Sequence, residues 1–116
     1  MEPGRVVAMS DETSELFAQI RTFDWYPPKR EWNLQNRQID FQDARFVLDG
    51  PTIIRRSDRK GEIRYMVFGF LEDVEVVVIC TIRRDVCWII SARRARRDER
   101  KKYHSSLTRR SAERQD

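Results

Sequence analysis

An α+β domain, with helices laid on an antiparallel-rich sheet, is predicted by three features of this sequence. Residues 63–70 and 74–82 are β-branched and aromatic runs of strand length. Only Leu71-Glu72-Asp73 and Arg83-Arg84-Asp85 separate these runs from each other and from a third at 86–91, so the connections are hairpins. After Ser91 the composition changes: 93–102 is dominated by Arg and Lys, contains good helix formers and has no β-branched residue. A three-stranded meander therefore leads into a basic helix.

Residues 1–14 are polar and acidic, carry Pro3 and Gly4, and begin a flexible leader assigned to 1–21, with one helical turn at most within 15–20. Residues 22–25 read as a short strand stopped by Pro27-Pro28. Pro28 suits the first turn of a helix over 29–37, and Pro27 is steered away from helical angles by the proline after it. Asp40 is the N-cap of a second helix over 41–48, whose Phe41, Ala44, Val47 and Leu48 form one apolar face. Asp49-Gly50-Pro51 ends it, 52–56 is a strand, and 57–61 is a charged turn into the meander. The order is β-α-α-β-β-β-β-α, a single domain over 22–110 with a flexible tail at 111–116. Both alternating sets along 74–82 are apolar, so both sheet faces need cover. The last helix offers only Ala95, Tyr103 and Leu107 for that purpose, which leaves an apolar stretch open for a partner.

The net charge of +4 is unevenly distributed: residues 1–50 carry −3 and 51–116 carry +7. Segment 93–110 holds nine basic residues and two acids, more cations than local ion pairs can neutralise, which points to an anionic partner, nucleic acid first. Cys80 and Cys87 lie inside apolar strands and read as small buried hydrophobes in a reducing compartment. No stretch approaches the ~18 apolar residues of a membrane span and no apolar signal core opens the chain, so a cytoplasmic protein without membrane contact is expected.

Phosphate loops, nucleophile elbows and metal-ligand spacings are absent from the sequence, and His104 sits in a polar stretch as a solvated side chain. The remaining chemistry is cationic: Arg64, Arg83, Arg84 and Arg93 beside strand ends, Lys29 and Arg37 on the first helix. RNA cleavage needs no cofactor, because the 2′-hydroxyl is the nucleophile. A protein need only orient the phosphate, oppose its growing charge and assist proton movement. Plain phosphate binding fits the same residues, and both readings stay open.

A set of residues then resembles the BrnT toxin family: Phe23-Asp24-Trp25, Lys29, Asn33, Ile39-Asp40-Phe41 with Ala44, Asp49-Gly50-Pro51, Arg64 with Gly69, Thr81-x-Arg83, and Ile89-Ile90-Ser91-Ala92-Arg93-x-Ala95 with Glu99-Arg100 and Tyr103. The resemblance implies a RelE-like fold and a bacterial ribonuclease that inhibits translation. Its implied partner is a BrnA-like ribbon-helix-helix antitoxin, forming a heterotetramer that reaches operator DNA through the antitoxin. On this reading Arg64, Arg83 and Arg93 are catalytic and hold the scissile phosphate. Lys29, Asn33, Arg37, Thr81 and Trp88 bind substrate, with no metal and no cofactor. The chain departs from the family at Tyr26, where an acidic N-cap is usual, and at Gln38, where a turn glycine is common. Arg37 replaces an imidazole and Trp88 a cation, so weakened or absent cleavage is expected. The alternative is a non-catalytic homologue that acts only in operon repression.

Overall fold

The computed structural model describes residues 11–114; the first ten residues of the expected leader and the last two of the expected tail lie outside the described residues. The elements are α1 (Asp11–Ala18), β1 (Thr22–Trp25), α2 (Pro27–Arg37), α3 (Phe41–Ala44) running into a 3-10 turn (Arg45–Asp49), β2 (Ile53–Arg56), β3 (Tyr65–Leu71), β4 (Val74–Arg83), β5 (Val86–Arg94) and α4 (Arg97–Arg114). They form one five-stranded sheet in the order β1-β5-β4-β3-β2. The β1–β5 pair is parallel and the other three are antiparallel. From Thr22 onward this is the predicted α+β order. Before it stands α1, whose Phe17 is fully buried edge-on to Tyr65 at 5.1 Å between ring centroids. The segment expected to be leader as far as residue 21 thus contributes to the core.

Three two-residue turns fold the sheet. Leu71 pairs with Val74 and Arg83 with Val86 across loops that begin with left-handed Glu72 (φ 57°) and Arg84 (φ 59°). The third turn lies at Lys60-Gly61, with φ of 52° and 77°, the positive angles of a type I′ turn; Arg59 and Glu62 exchange both backbone hydrogen bonds across it at 2.9 Å.

One sheet face carries the larger core, where Ile54, Val67, Val76, Val78, Cys80, Cys87, Ile89 and Ala92 meet Phe17 and the predicted apolar face Phe41, Ala44, Val47 and Leu48. Gly69 permits the close approach: a Cβ there would lie 2.6 Å from Val47 Cγ1. Both cysteines are free and buried on this face, as expected, and the Cys80 thiol is pushed up by its hydrogen bond with the Cys87 thiol and by burial. The opposite face buries Phe68 and Val77 under Ala95 and Tyr103, with Leu107 packed alongside. Met66, Ile79 and Ile90 on β3, β4 and β5 remain only half-buried.

Several boundaries differ from expectation. The second helix keeps α geometry for one turn and tightens into the 3-10 turn after Ala44. β5 continues three residues past Ser91, because Ala92, Arg93 and Arg94 pair with Val78, Val77 and Val76; the ladder overrides the helix preference of the Arg-rich segment, and α4 starts at Arg97. Ile63 falls outside β3 and is 42% exposed. Asp40 caps α3 as predicted, accepting from the Gln42 N–H at 3.0 Å, and also receives both arms of Arg30 at 2.7 and 3.0 Å, which staples α2 to α3. Helix α2 begins at Pro27, its N-cap Tyr26 makes no side-chain capping bond, and Gln38 takes the left-handed turn at φ 57°.

Candidate nucleic-acid interface

Strand alternation places Val77, Ile79, Thr81 and Arg83 on one face of β4, and their neighbours on β5 share it. Thr81 pairs with Trp88, and the Arg83 guanidinium carbon sits 4.9 Å from the Trp88 ring centroid. Beyond the cluster under α4, this face is open: Arg83 is 57% exposed and Trp88 is half-buried. Arg64 joins it from the segment leading into β3. Its Nε donates to Glu62 Oε1 at 3.0 Å, while Arg83 Nη2 donates to Glu62 Oε2 at 3.2 Å. Two guanidiniums therefore converge on the two oxygens of one carboxylate, beside an indole. The Arg64 bond and then the Arg83 bond hold the Glu62 carboxyl below its usual range.

The backbone under this group is fixed. Thr81 Oγ1 donates to the Ile63 carbonyl at 2.7 Å, and the Ser57 N–H donates to the Arg64 carbonyl at 2.7 Å. These bonds extend the β2–β3–β4 ladder past its last regular pair. Thr81 is buried and spends its hydroxyl on the Ile63 carbonyl, so it positions the Arg64 segment.

Arg93, expected alongside Arg64 and Arg83, stands elsewhere. It pairs with Val77, six residues along β4 from Arg83, or about 20 Å at ordinary strand rise. Both its arms reach Glu99 at 2.8 Å, with only 19% and 12% of the two side chains exposed. Glu99 also accepts from the Arg96 N–H at 2.7 Å, the backward bond of a capping box at the start of α4. The Arg93 bonds bring the Glu99 carboxyl down to about 2. Arg93 is a joint between sheet and helix.

On α2, Lys29 Nζ and the Arg37 guanidinium carbon lie 4.5 and 5.2 Å from the centroid of Trp32, which is 43% exposed. Arg37 Nη1 also donates to Ser91 Oγ at 3.0 Å. Asn33, expected to touch substrate, is fully buried: its Nδ2 donates to the Ile39 carbonyl at 2.8 Å and its Oδ1 accepts from the Ala92 N–H at 3.2 Å. β1 ends at the Trp25–Ile89 pair, and Asn33 satisfies the edge of β5 beyond it.

The basic helix expected at the end of the chain presents an open groove of about 900 Å³ lined by Arg97, Arg100, Lys101 and Arg109. His104 in that groove is half exposed but holds Glu75 at 2.6 Å, so it is paired and not merely solvated. Among the described residues there is no group of three metal-ligating side chains, and no helix is long and apolar enough to cross a membrane.

Of the expected site, Arg64, Arg83, Thr81 and Trp88 are brought together, Lys29 and Arg37 form a second cationic ridge, and Arg93 and Asn33 belong to the scaffold. Sequence reasoning missed Glu62, and it named Glu99 among the family-like residues without its pairing to Arg93. The signal for Glu62 was available: an acid two residues before Arg64 on an extended segment points to the same side. The Arg93–Glu99 pairing gave none, since the two residues lie on either side of the strand-to-helix junction.

Together the fold and this surface define a small basic α+β protein that presents paired guanidiniums and an indole on an open sheet face, suited to a polyanion. The chain belongs to the family of ribonuclease toxins, BrnT, of type II toxin–antitoxin systems, whose family model matches residues 25–99. That span runs from the last residue of β1 through α2 to β5 and takes in the first residues of α4. Membership implies an antitoxin partner. No curated protein matches the chain.

Proposed function

We propose that the chain is an endoribonuclease toxin that cleaves RNA without a metal and thereby arrests translation, with Arg64 and Arg83 on the scissile phosphate. The observation that carries this reading is their convergence on one pair of carboxylate oxygens, at the spacing a phosphodiester would present. Attack by the 2′-oxygen on the adjacent phosphorus breaks the bond to the 5′-oxygen. The 2′-hydroxyl loses its proton and the departing oxygen gains one. Both guanidiniums oppose charge on the non-bridging oxygens as it grows. Trp88 stacks a flanking base, Thr81 holds the Arg64 segment, and Lys29 and Arg37 steer the strand. A BrnA-like ribbon-helix-helix antitoxin neutralises the toxin in a heterotetramer, over the half-buried patch at Met66, Ile79 and Ile90, and links it to operator DNA. The test is cleavage of single-stranded RNA by the purified protein in chelator. Cutting that Arg64→Ala or Arg83→Ala lowers at least ~100-fold supports the reading, and chelator-sensitive or Arg64-independent cutting overturns it.

A second reading, a member that binds RNA and antitoxin but does not cut, is favoured by one observation. The chain's single imidazole, His104, is tied to Glu75 on the α4 groove, and none stands beside Arg64 and Arg83. Arg37 cannot accept a proton near neutral pH. If the wild type is inert and the pair Arg37→His with Trp88→Arg switches cutting on, this reading holds for the natural chain.

A further inference from the structure

We infer that Glu62 occupies the seat of the substrate phosphate and is displaced by it, so that the anion-binding pair is held shut by its own carboxylate until RNA arrives. The inference rests on the reading of Arg64 and Arg83 as phosphate ligands. A carboxylate that accepts one hydrogen bond on each oxygen from two separate guanidiniums uses the donor pattern that two non-bridging oxygens of a phosphodiester would use. Arg64 and Arg83 have no other carboxylate partner among the described residues, so removing Glu62 leaves both forks free.

The local build permits the exchange. Glu62 follows the exposed Lys60-Gly61 turn at the tip of a hairpin that projects past the sheet, and its side chain is about one-third exposed. Its backbone is tied to Arg59 by the two turn bonds, whereas Arg64 is anchored through its own carbonyl and through Ile63. Rotation of the Glu62 side chain alone therefore vacates the seat, with no change in the ladder or the core. Trp88 under Arg83 keeps that guanidinium at the site when its acid leaves. Surface pairs of this kind are weak, so a phosphate anchored elsewhere along the same strand displaces the carboxylate readily.

The experiment measures binding of a single-stranded DNA oligonucleotide, which lacks the 2′-hydroxyl and cannot be cut by this route. It compares the full chain with Glu62→Gln, with Glu72→Gln, and with Glu62→Gln combined with Arg64→Ala. Glu72 is an exposed acid in the β3–β4 turn, so its substitution makes the same change of net charge away from the pair. Glu62→Gln is expected to bind about five- to tenfold tighter than wild type, Glu72→Gln less than about twofold, and the double variant is expected to lose the gain. Equal gains for the two glutamines, or unchanged or weaker binding by a folded Glu62→Gln, would overturn the inference. RNA cutting by the same proteins separates the two claims. A tighter Glu62→Gln with no cutting by any variant keeps the gate and removes the nuclease. Arg64-dependent cutting with no tightening does the reverse.

Discussion

Two arginine sites on the same sheet face show how the surroundings decide what a guanidinium does. At the start of α4, Arg93 has Glu99 to itself: two bonds of 2.8 Å, little exposure, and a carboxylate that also caps the helix. At the other end, Arg64 and Arg83 share Glu62, each through a single bond, and Arg83 is mostly in solvent. One cation in a dedicated, partly desolvated pair fastens two elements together. Two cations on one acid retain donors and net positive charge for something else. All three residues sit at or beside strand ends, where the sequence alone makes them equivalent.

The largest effects should divide along this line. Arg64→Ala and Arg83→Ala are expected to lower RNA cutting at least ~100-fold while unfolding at nearly the wild-type temperature. Arg93→Ala should do the opposite. It leaves Glu99 half-paired in a mostly buried position and costs about 2–3 kcal/mol of stability, with cutting by the folded fraction unchanged. Denaturant titration alongside single-turnover cleavage reads both quantities. A cleavage defect in Arg93→Ala without a stability defect would erase the distinction. Asn33→Ala belongs with Arg93 although it was expected to touch RNA. It orphans the Ala92 N–H and the Ile39 carbonyl, at a cost of roughly 2 kcal/mol.

Acid should sharpen the contrast at similar magnitude. The folded Glu99 carboxyl sits at about 2 against an ordinary 4.5, a depressed value. Its contribution is therefore complete above pH 4.5 and is lost as pH falls from there towards 2. The loss is on the order of 2 kcal/mol for a pair that keeps some contact with water. Urea midpoints measured through that window should fall for the wild type and fall less for Glu99→Gln. A pH dependence unaltered by that substitution would show that Arg93 does not hold the joint.

How much of this was visible in the chain follows from range. The β-branched runs and the Asp40 cap act locally, so the order of elements along the chain and the Phe41–Leu48 face were readable in advance, whereas the parallel pairing of β1 with β5 was not. The packing of α1 was not. Its fully buried Phe17 lies in a short apolar run after a polar segment, and its worth depends on Tyr65 arriving from β3. The continuation of β5 through Arg94 was hidden for a related reason, since only the register against Val76 and Val77 outweighs the helix preference of an Arg-rich segment. In the site, Arg64, Thr81, Arg83 and Trp88 come from one meander and meet through hairpin geometry that the turn spacing encodes. Lys29 stands three residues before Trp32 on the same helix surface, whereas Arg37, five residues after it at the end of α2, reaches the ring only through its long side chain. Asn33, one residue from Trp32, turns inward instead, and residue type alone did not say so.

The smallest expected effect tests whether the α2 ridge is a third kind of site. Lys29 has no carboxylate partner among the described residues and rests on the face of Trp32. Lys29→Ala should thus change stability by less than about 0.5 kcal/mol. If Lys29 neutralises a phosphate of a single-stranded ligand, the substitution weakens binding a fewfold and lowers the slope of log affinity against log salt by about 0.7, the amount one phosphate accounts for. The ratio of affinities for different sequences should stay constant, because a cation on the backbone carries no base information. Weaker binding at unchanged salt slope would assign Lys29 to supporting Trp32 and not to the strand. An unchanged affinity would leave Arg64 and Arg83 as the cations that act on RNA, with α2 serving only to carry Asn33 to the edge of β5.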